Sequence, residues 1–292
     1  MNGILLIDKP QGFTSHDVVA KLRGILRERR IGHSGTLDPM ATGLLVVFVG
    51  RATRAVEFAE SHEKRYLAGM RLGITTDTQD ITGAVIKSSE KVVSLDELEA
   101  VLEEFRGDIL QTPPMYSAIK VQGKKLYELA RSGVEIERAS RPVTIHRLVI
   151  SGQCEGDIEL DVICSKGTYI RTLCNDIGER LGTGAALSSL RRVAAGKFSV
   201  SDAYTLTQIQ EYADKGSLDE VLLPVDSLFS DCPSIKINGN QTKKCLCGND
   251  FSISAEDGTY RVYDEEDTFL MLGTVKNAVM TTVKSFFEIK EK

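Results

Sequence analysis

The sequence has no tryptophan and only four histidines, and its six cysteines show no CxxC pair. Cys245 and Cys247 are the most closely spaced, too close for the usual zinc knuckle, so the spacing favours reduced thiols over a metal site. Neither a GxxxxGK[ST] phosphate loop nor a dinucleotide-binding fingerprint is present. We therefore expect no metal and no cofactor.

Long apolar runs are also missing. No stretch approaches the roughly 18 apolar residues of a membrane-spanning helix, and the opening MNGILLIDKPQG meets charge and proline too early for a signal peptide. These features predict a cytoplasmic protein with no membrane partner. At 292 residues, the chain is long enough for two domains.

Charge is unevenly distributed along the chain. The net charge is −5, but residues 1–71 hold eleven Lys and Arg against seven Asp and Glu, whereas residues 208–292 hold nine against fifteen. The acidity therefore belongs mainly to the C-terminal end. The N-terminal part keeps basic surface that can face phosphates.

Hydrophobic patterns predict strands and helices without a regular βαβ rhythm. GILLID reads as a strand, residues 14–30 as a basic amphipathic helix with a capping box at Thr14 and Asp17, and KRYLAGMRLG as a half-buried strand. This mixture predicts an α+β fold with a mainly antiparallel mixed sheet flanked by helices. Pro, Ser and Asp in LPVDSLFSDCPS predict a boundary between a domain at 1–230 and a small β-rich module at 231–292.

Two charged residues stand in unusual settings. Asp38 lies in GHSGTLDPMATG, where glycines and Pro39 can hold a carboxylate rigidly beside a strand. From the residues alone, an ordinary turn capped by Asp38 is the preferred interpretation, and a phosphate-binding loop is a weaker third. Arg171 falls in the first turn of a predicted helix, where the helix dipole disfavours a cation. It is either a surface arginine or the partner of an anion.

Five segments resemble, in the same order, the motifs of the TruB-type tRNA pseudouridine-55 synthases. They are LIDKPQGFTSHDVV, GHSGTLDPMATGLL, KRYLAGMRLGITTDTQDITG, QTPPMYSAIKVQGKKLYELAR and CSKGTYIRTLCNDIGERLG. The resemblance covers residues 4 to about 198. In the last 60 residues a PUA-like module is expected mainly from position, size and β-rich pattern.

The resemblance implies catalytic roles for three residues. Asp38 would be the essential carboxylate, Arg171 its ion-pair partner, and Tyr66 the ring that stacks on the extruded uracil. Without the resemblance, Tyr66 reads as a half-buried aromatic side chain on an alternating strand.

The same resemblance implies four substrate-binding residues. His33 would stack where the flipped base leaves a gap, Tyr169 and Leu190 would line the pocket, and Lys9 would support the loop or a phosphate. Without the resemblance, His33 is interpreted as a turn-capping histidine, Leu190 as a core leucine and Lys9 as a surface lysine. Candidate phosphate contacts are Arg29, Arg30, Lys120, Lys124, Lys125, Arg191, Arg192 and Lys197. TDTQDITG (76–83) is interpreted as a structural turn capped by Asp77, Thr78 and Asp80.

The implied function is isomerisation of a uridine in the T loop of tRNA, position 55, to pseudouridine. The expected partner is the T-arm stem-loop, with no obligatory protein partner and a monomeric state. Two alternatives stay open: a synthase that acts on another RNA or needs a guide RNA, and a tRNA-folding factor in which catalysis is dispensable. The acidic DEED at 264–267 leaves open how much the C-terminal module binds RNA beyond Lys243 and Lys244.

Overall fold

The structure is a computed structural model that describes residues 1–60, 62–117, 119–121 and 123–287. Within these ranges, no helix has both the length and the apolar character needed to cross a membrane. The strands, in chain order, are β1 Gly3–Lys9, β2 Ile31–Ser34, β3 Thr42–Val49, β4 Lys64–Leu72, β5 Ile74–Thr76, β6 Val85–Ser88, β7 Gly107–Gln111, β8 Lys120–Val121, β9 Lys124–Lys125, β10 Arg141–Cys154, β11 Asp157–Cys164, β12 Ala185–Ala195, β13 Phe198–Ser199, β14 Ser234–Lys236, β15 Phe251–Ser252, β16 Gly258–Tyr263, β17 Phe269–Lys276 and β18 Val279–Ser285.

The α-helices are α1 Ser15–Leu26, α2 Val56–Glu60, α3 Leu95–Glu104, α4 Leu126–Arg131, α5 Ile170–Leu181, α6 Leu206–Lys215 and α7 Gly239–Leu246. Capping chemistry sets several of their starts. The capping box predicted for the first helix is present, with the Thr14 side chain accepting from the Asp17 amide. The prediction that this helix runs to Arg30 is wrong, because Arg27 turns into the left-handed region (φ 49°) and ends it.

A nine-stranded sheet forms the centre of the larger part. Its main path runs β1-β3-β12-β4-β11-β10-β7, with β2 added to β3 and β13 to β12. Every pairing is antiparallel except that between β12 and β3. The predicted α+β class with a mainly antiparallel mixed sheet is confirmed.

Strands β1 and β3 are buried on both faces, which explains their unbroken apolar sequences. Alternate residues belong to different cores: Leu5 and Ile7 pack with α1 and α6, whereas Ile4 and Leu6 pack on the opposite face. A third core lies under α3 and α5, against β4, β11 and β12. Its members include Tyr66 and Leu190, so it reaches the candidate site.

The C-terminal strands form a separate sheet in the order β14-β16-β17-β18-β15, with its own apolar core. Helix α7 was not predicted; its Asn238 cap accepts from the amides of Asn240 and Gln241. This sheet packs on the larger part through Phe229, Phe269 and Phe286, the last of which is 2 % exposed. The division at residue 230 itself stays a prediction, and residues 288–292 lie outside the described ranges.

Candidate active site

Asp38 lies in the loop between β2 and β3, and α1 holds that loop from below. The Leu37 amide donates to the Ser15 hydroxyl (2.9 Å), and the Gly12 amide donates to the Pro39 carbonyl (2.8 Å). Leu37 is buried, whereas the Asp38 side chain is 39 % exposed. The loop therefore presents one carboxylate to the outside from an anchored backbone.

Arg171, in the first turn of α5, is the partner of this carboxylate. Its Nε lies 2.9 Å from Asp38 Oδ2, and its two Nη atoms donate to the carbonyls of Thr78 (3.0 Å) and Tyr116 (2.8 Å). The side chain is only 5 % exposed. A fully engaged guanidinium fixes the carboxylate's orientation, and the anionic partner offsets the unfavourable helix dipole. The surface alternative for Arg171 is wrong.

Asp80 is a second carboxylate near Arg171, which the sequence analysis treated only as a turn residue. Its Oδ1 accepts from the hydroxyls of Thr78 (2.9 Å) and Thr82 (2.5 Å), so the structural turn is present. Its Oδ2 also lies 3.9 Å from Arg171 Nε. The turn thus places a second, buried negative charge near the same guanidinium nitrogen that pairs with Asp38, and the motif TDTQDITG was the available signal.

Tyr66 and Leu190 form part of one apolar cluster with Leu37, beneath the Asp38 loop. Burial raises the pKa of the Tyr66 phenol, and the nearby Arg192 cation partly opposes that effect. The phenol is therefore protonated at neutral pH, so that it can donate a proton but cannot accept one.

Tyr169 lies at the start of α5, directly before the helix that carries Arg171. Gln111 holds its backbone on both sides: the Gln111 amide group donates to the Tyr169 carbonyl (3.1 Å) and accepts from its N–H (2.7 Å). Burial raises the pKa of its phenol, with Arg171 acting in the opposite direction. Its ring is half-buried beside the ion pair.

His33 lies on β2, opposite Val47 of β3 and close to the Asp38 loop. Burial, helped by the neighbouring His16 ring and the Arg192 charge, lowers its pKa to about 4, so the ring is neutral at physiological pH. It meets the exposed His16 ring edge-to-face, with centroids 5.7 Å apart. Its Nδ1 is buried without a hydrogen-bond partner among the described residues. A neutral ring of this kind is suited to stacking on a base.

Lys9 is fully buried, so its alternative interpretation as a surface lysine is wrong. Its Nζ donates to the carbonyls of Pro10 (3.0 Å) and Phe13 (2.5 Å), which fastens the turn that supports the loop through Gly12. Burial lowers its pKa to about 8, with Asp38 opposing and Arg192 reinforcing that shift. Lys9 thus supports the loop from within, and its ammonium is not open to a phosphate.

In the folded chain, the candidate phosphate contacts include exposed, ion-paired and buried residues. Arg29 and Arg30 are exposed, whereas Arg191 forms a two-pronged ion pair with Asp8 (3.0 and 2.8 Å) and Lys197 lies near Asp231. Arg192 is 1 % exposed, so the prediction that it contacts phosphate is wrong. The side chains of Lys120, Lys124 and Lys125 lie outside the described residues.

Together these residues place the anchored, partly exposed carboxylate of Asp38 beside the apolar ring and protonated phenol of Tyr66. Such a carboxylate can attack carbon or remove a proton, and the phenol can supply one. In the part of the chain that the structure describes, no three His, Cys, Asp or Glu side chains converge as metal ligands would.

Comparison with known proteins gives consistent matches. The model of the TruB family pseudouridylate synthase (N terminal domain) matches residues 23–170, and that of the tRNA pseudouridylate synthase B C-terminal domain matches residues 171–230. The chain is 41% identical to tRNA pseudouridine synthase B of Clostridium kluyveri, over 98% of this chain and 100% of the relative. It is 40% identical to the protein of the same name from Escherichia coli K12, over 94% and 91%.

Solved structures also resemble the fold. A Cbf5-Nop10-Gar1 complex contains a chain with a TM-score of 0.74 and 26% identity, covering 98% of this chain and 85% of that one. A chain in an H/ACA RNP bound to a substrate RNA containing 2′-deoxyuridine has a TM-score of 0.73 at 24% identity, covering 98% and 85%. At that identity the second likeness concerns the fold alone.

Proposed function

Because the chain belongs to the TruB family of pseudouridine synthases, we propose that it converts the uridine at position 55 in the T loop of tRNA to pseudouridine. At the coarser level the chain is a tRNA pseudouridine synthase, an isomerase that acts on tRNA. The observation that supports catalysis at this site is the ion pair between Asp38 and Arg171, within two of the five family motifs. Position 55 of the T loop is proposed from the resemblance of all five motifs.

The reaction itself needs few groups. The C1′–N1 bond of the nucleoside breaks, the uracil rotates, a C1′–C5 bond forms, N1 gains a proton, and C5 loses its proton to solvent. Atoms and electrons balance without an oxidant. A positioned carboxylate and a proton donor suffice, and we assign these roles to Asp38 and Tyr66.

Base flipping precedes the chemistry, because a stacked uridine in a folded loop cannot reach Asp38. Unstacking costs about a few kcal/mol. We assign His33 to the space that the base leaves, since its neutral, largely buried ring stands beside the Asp38 loop. Tyr66, Tyr169 and Leu190 would then hold the extruded uracil on apolar surface.

The remaining parts of the proposal concern organisation. We propose a catalytic domain at residues 1–230 and a PUA-like module at 231–292, working as a cytoplasmic monomer without an obligatory protein partner. The partner RNA is the T-arm stem-loop. The module's own contribution to RNA binding would come from exposed lysines of α7, Lys243 and Lys244.

The test is to map pseudouridine in a tRNA transcript incubated with the purified protein alone. Wild type should modify position 55, and Asp38→Asn should abolish the product while binding the same RNA. Asp219→Asn, at an exposed site outside the five family motifs, serves as the matched control and should keep wild-type activity.

Other outcomes identify the alternatives. Modification only of another RNA, or only after a guide RNA is added, would replace the T-loop assignment. Full isomerisation by a folded Asp38→Asn variant would remove Asp38 from the chemistry. A cellular phenotype that survives in Asp38→Asn, with tRNA binding intact, would favour the tRNA-folding role.

A further inference from the structure

Among the residues that the structure describes, Arg192 is the largest fully buried side chain, and it lies in the second half of β12. The sheet register places it directly opposite Tyr66 on β4, and opposite Gly43 on β3. At Gly43 the backbones are so close that a Cβ would stand 2.3 Å from the Arg192 carbonyl oxygen. Arg192 therefore occupies the strand between the Asp38 loop and the tyrosine.

The guanidinium of Arg192 binds both ends of that loop. Its Nε donates to the Leu44 carbonyl (2.7 Å), and its Nη2 donates to the Gly35 carbonyl (2.9 Å). Gly35 and Leu44 flank Asp38 on either side, and Gly35 is so close that an added Cβ would lie 3.0 Å from Nη1. One side chain thus closes the loop at its entry and exit.

The charge of Arg192 is not neutralised by a neighbouring carboxylate. Among the described residues, none of the ion pairs within 4.0 Å includes it. Lys9 and Lys64 are buried nearby, and the Arg192 charge helps burial to lower the pKa of each to about 8. A buried cation among cations is costly for the folded state, so a loop clamp alone does not account for it.

Tyr66 is the group that this charge serves. Arg192 and Tyr66 are directly opposed cross-strand neighbours, so their side chains lie on the same face of the sheet. The Arg192 charge there opposes the rise in the Tyr66 pKa that burial causes. One planar guanidinium therefore binds both ends of the loop beside the phenol. A lysine side chain offers a single ammonium group and lacks the planar, forked set of N–H donors of a guanidinium.

We propose that Arg192 is a positioning residue for the isomerisation, which holds the Asp38 loop and the Tyr66 hydroxyl in one fixed relation from the strand between them. The proposal rests on the isomerase function given above. Arg192 does not touch the substrate in this role. It sets where the carboxylate and the phenol stand relative to the base that enters between them.

The first measurement is the single-turnover rate of pseudouridine formation, together with the Kd for tRNA. We expect Arg192→Lys and Arg192→Gln to lower the rate by about 10- to 100-fold, with Kd changed by less than about threefold and the circular dichroism spectrum retained. Arg71→Lys is the matched control: Arg71 lies on β4, is exposed and pairs with Asp157. It should keep the wild-type rate.

The second measurement separates a role through Tyr66 from simple support of the loop. The chain has eight tyrosines, so labelling with 3-fluorotyrosine gives a readable ¹⁹F spectrum. The Tyr66 resonance is the one that is missing from the spectrum of the Tyr66→Phe variant. Because Arg192 favours the phenolate, Arg192→Gln should make the Tyr66 resonance titrate at higher pH. Arg71→Lys should leave the Tyr66 titration unchanged.

Two results would overturn the proposal: a folded Arg192→Gln variant with a wild-type rate, or a reduced rate with an unmoved Tyr66 titration. If Arg192→Gln does not fold, Arg192→Lys takes its place, and a wild-type rate in that variant overturns the proposal. If wild type modifies a uridine outside the T loop, the T-loop assignment fails, but the rate is measured at that uridine and the ¹⁹F titration is unaffected.

Discussion

The Asp38 end of the large sheet and the C-terminal sheet bury very different side chains. Five charged residues are buried around the Asp38 loop: Lys9, Lys64, Asp80, Arg171 and Arg192. In the described part of the C-terminal sheet, residues 234–287, every residue in the buried set is apolar, and each charged side chain is half-buried or exposed. Since buried charge opposes stability unless it is paired, the difference marks where the molecule gives up stability for chemistry.

The largest effect should follow from removing the cation of the active-site ion pair. Arg171→Met leaves Asp38 without its partner and a buried Asp80 without a nearby cation. We expect single-turnover activity to fall at least about 100-fold, and the free energy of unfolding to fall by about 2–4 kcal/mol. Arg180→Met, on the same helix but with its arginine paired at the surface, should change both only slightly. Activity within threefold of wild type would contradict the assignment.

A comparable loss of stability, without the loss of chemistry, should come from the apolar joint between the two regions. Phe286→Ala removes a ring that packs against Phe229 and Phe269. We expect the free energy of unfolding, measured with urea, to fall by about 3–5 kcal/mol, while the single-turnover rate at 25 °C stays within about threefold. Val283→Ala, exposed on β18 just before Phe286, is the control. A rate loss as large as that of Arg171→Met would contradict the view that the apolar joint contributes to stability and not to the chemistry.

A smaller effect concerns pH. Lys9 and Lys64 have pKa values of about 8 in the folded protein and an ordinary value of 10.5. Between these values the unfolded chain binds more protons, so their contribution to stability rises with pH from about 8 and is lost as pH falls through 8.

Lys9→Met should therefore weaken the increase in the free energy of unfolding between pH 7.5 and 9.5 relative to wild type. Lys215→Met, at an exposed helix end, should leave that increase unchanged. Urea titrations at several pH values measure this increase in the free energy of unfolding. Equal slopes in wild type and Lys9→Met would show that the buried ammonium is not the group that titrates.

The smallest effect should come from exposed charges that connect the two regions. Glu57 lies 2.6 Å from Lys284, and its side chain is largely exposed. Surface pairs of this kind contribute about 0–1 kcal/mol, so Glu57→Gln should shift the midpoint of thermal unfolding by only a degree or two. A shift as large as that of Phe286→Ala would mean that charge, and not the phenylalanine cluster, holds the sheets together.

Much of the local structure was predictable from the sequence. The cap at Thr14 accepts the expected amide hydrogen bond, and the predicted strand around Tyr66 runs from Lys64 to Leu72. These features depend on residues close together in the chain. The order of the family motifs also indicated which residues belong to the site, although their roles remain proposals.

Strand β12 was not predicted from the sequence. Its segment AALSSLRRVAA contains several residues that favour helices when taken alone. It becomes a strand because β3 and β4 offer hydrogen bonds on both of its sides, one parallel and one antiparallel. Tertiary context overrides local preference at such a central position.

What the sequence by itself determined is the identity of the charged residues and the short-range caps and patterns around them. What only the tertiary structure decided is which charges meet. Arg191 and Arg192 are the same residue type in adjacent positions, yet one pairs with Asp8 at the surface and the other is buried behind the Asp38 loop. Successive residues of a strand point to opposite faces, so the sheet register alone settles which arginine faces the active site.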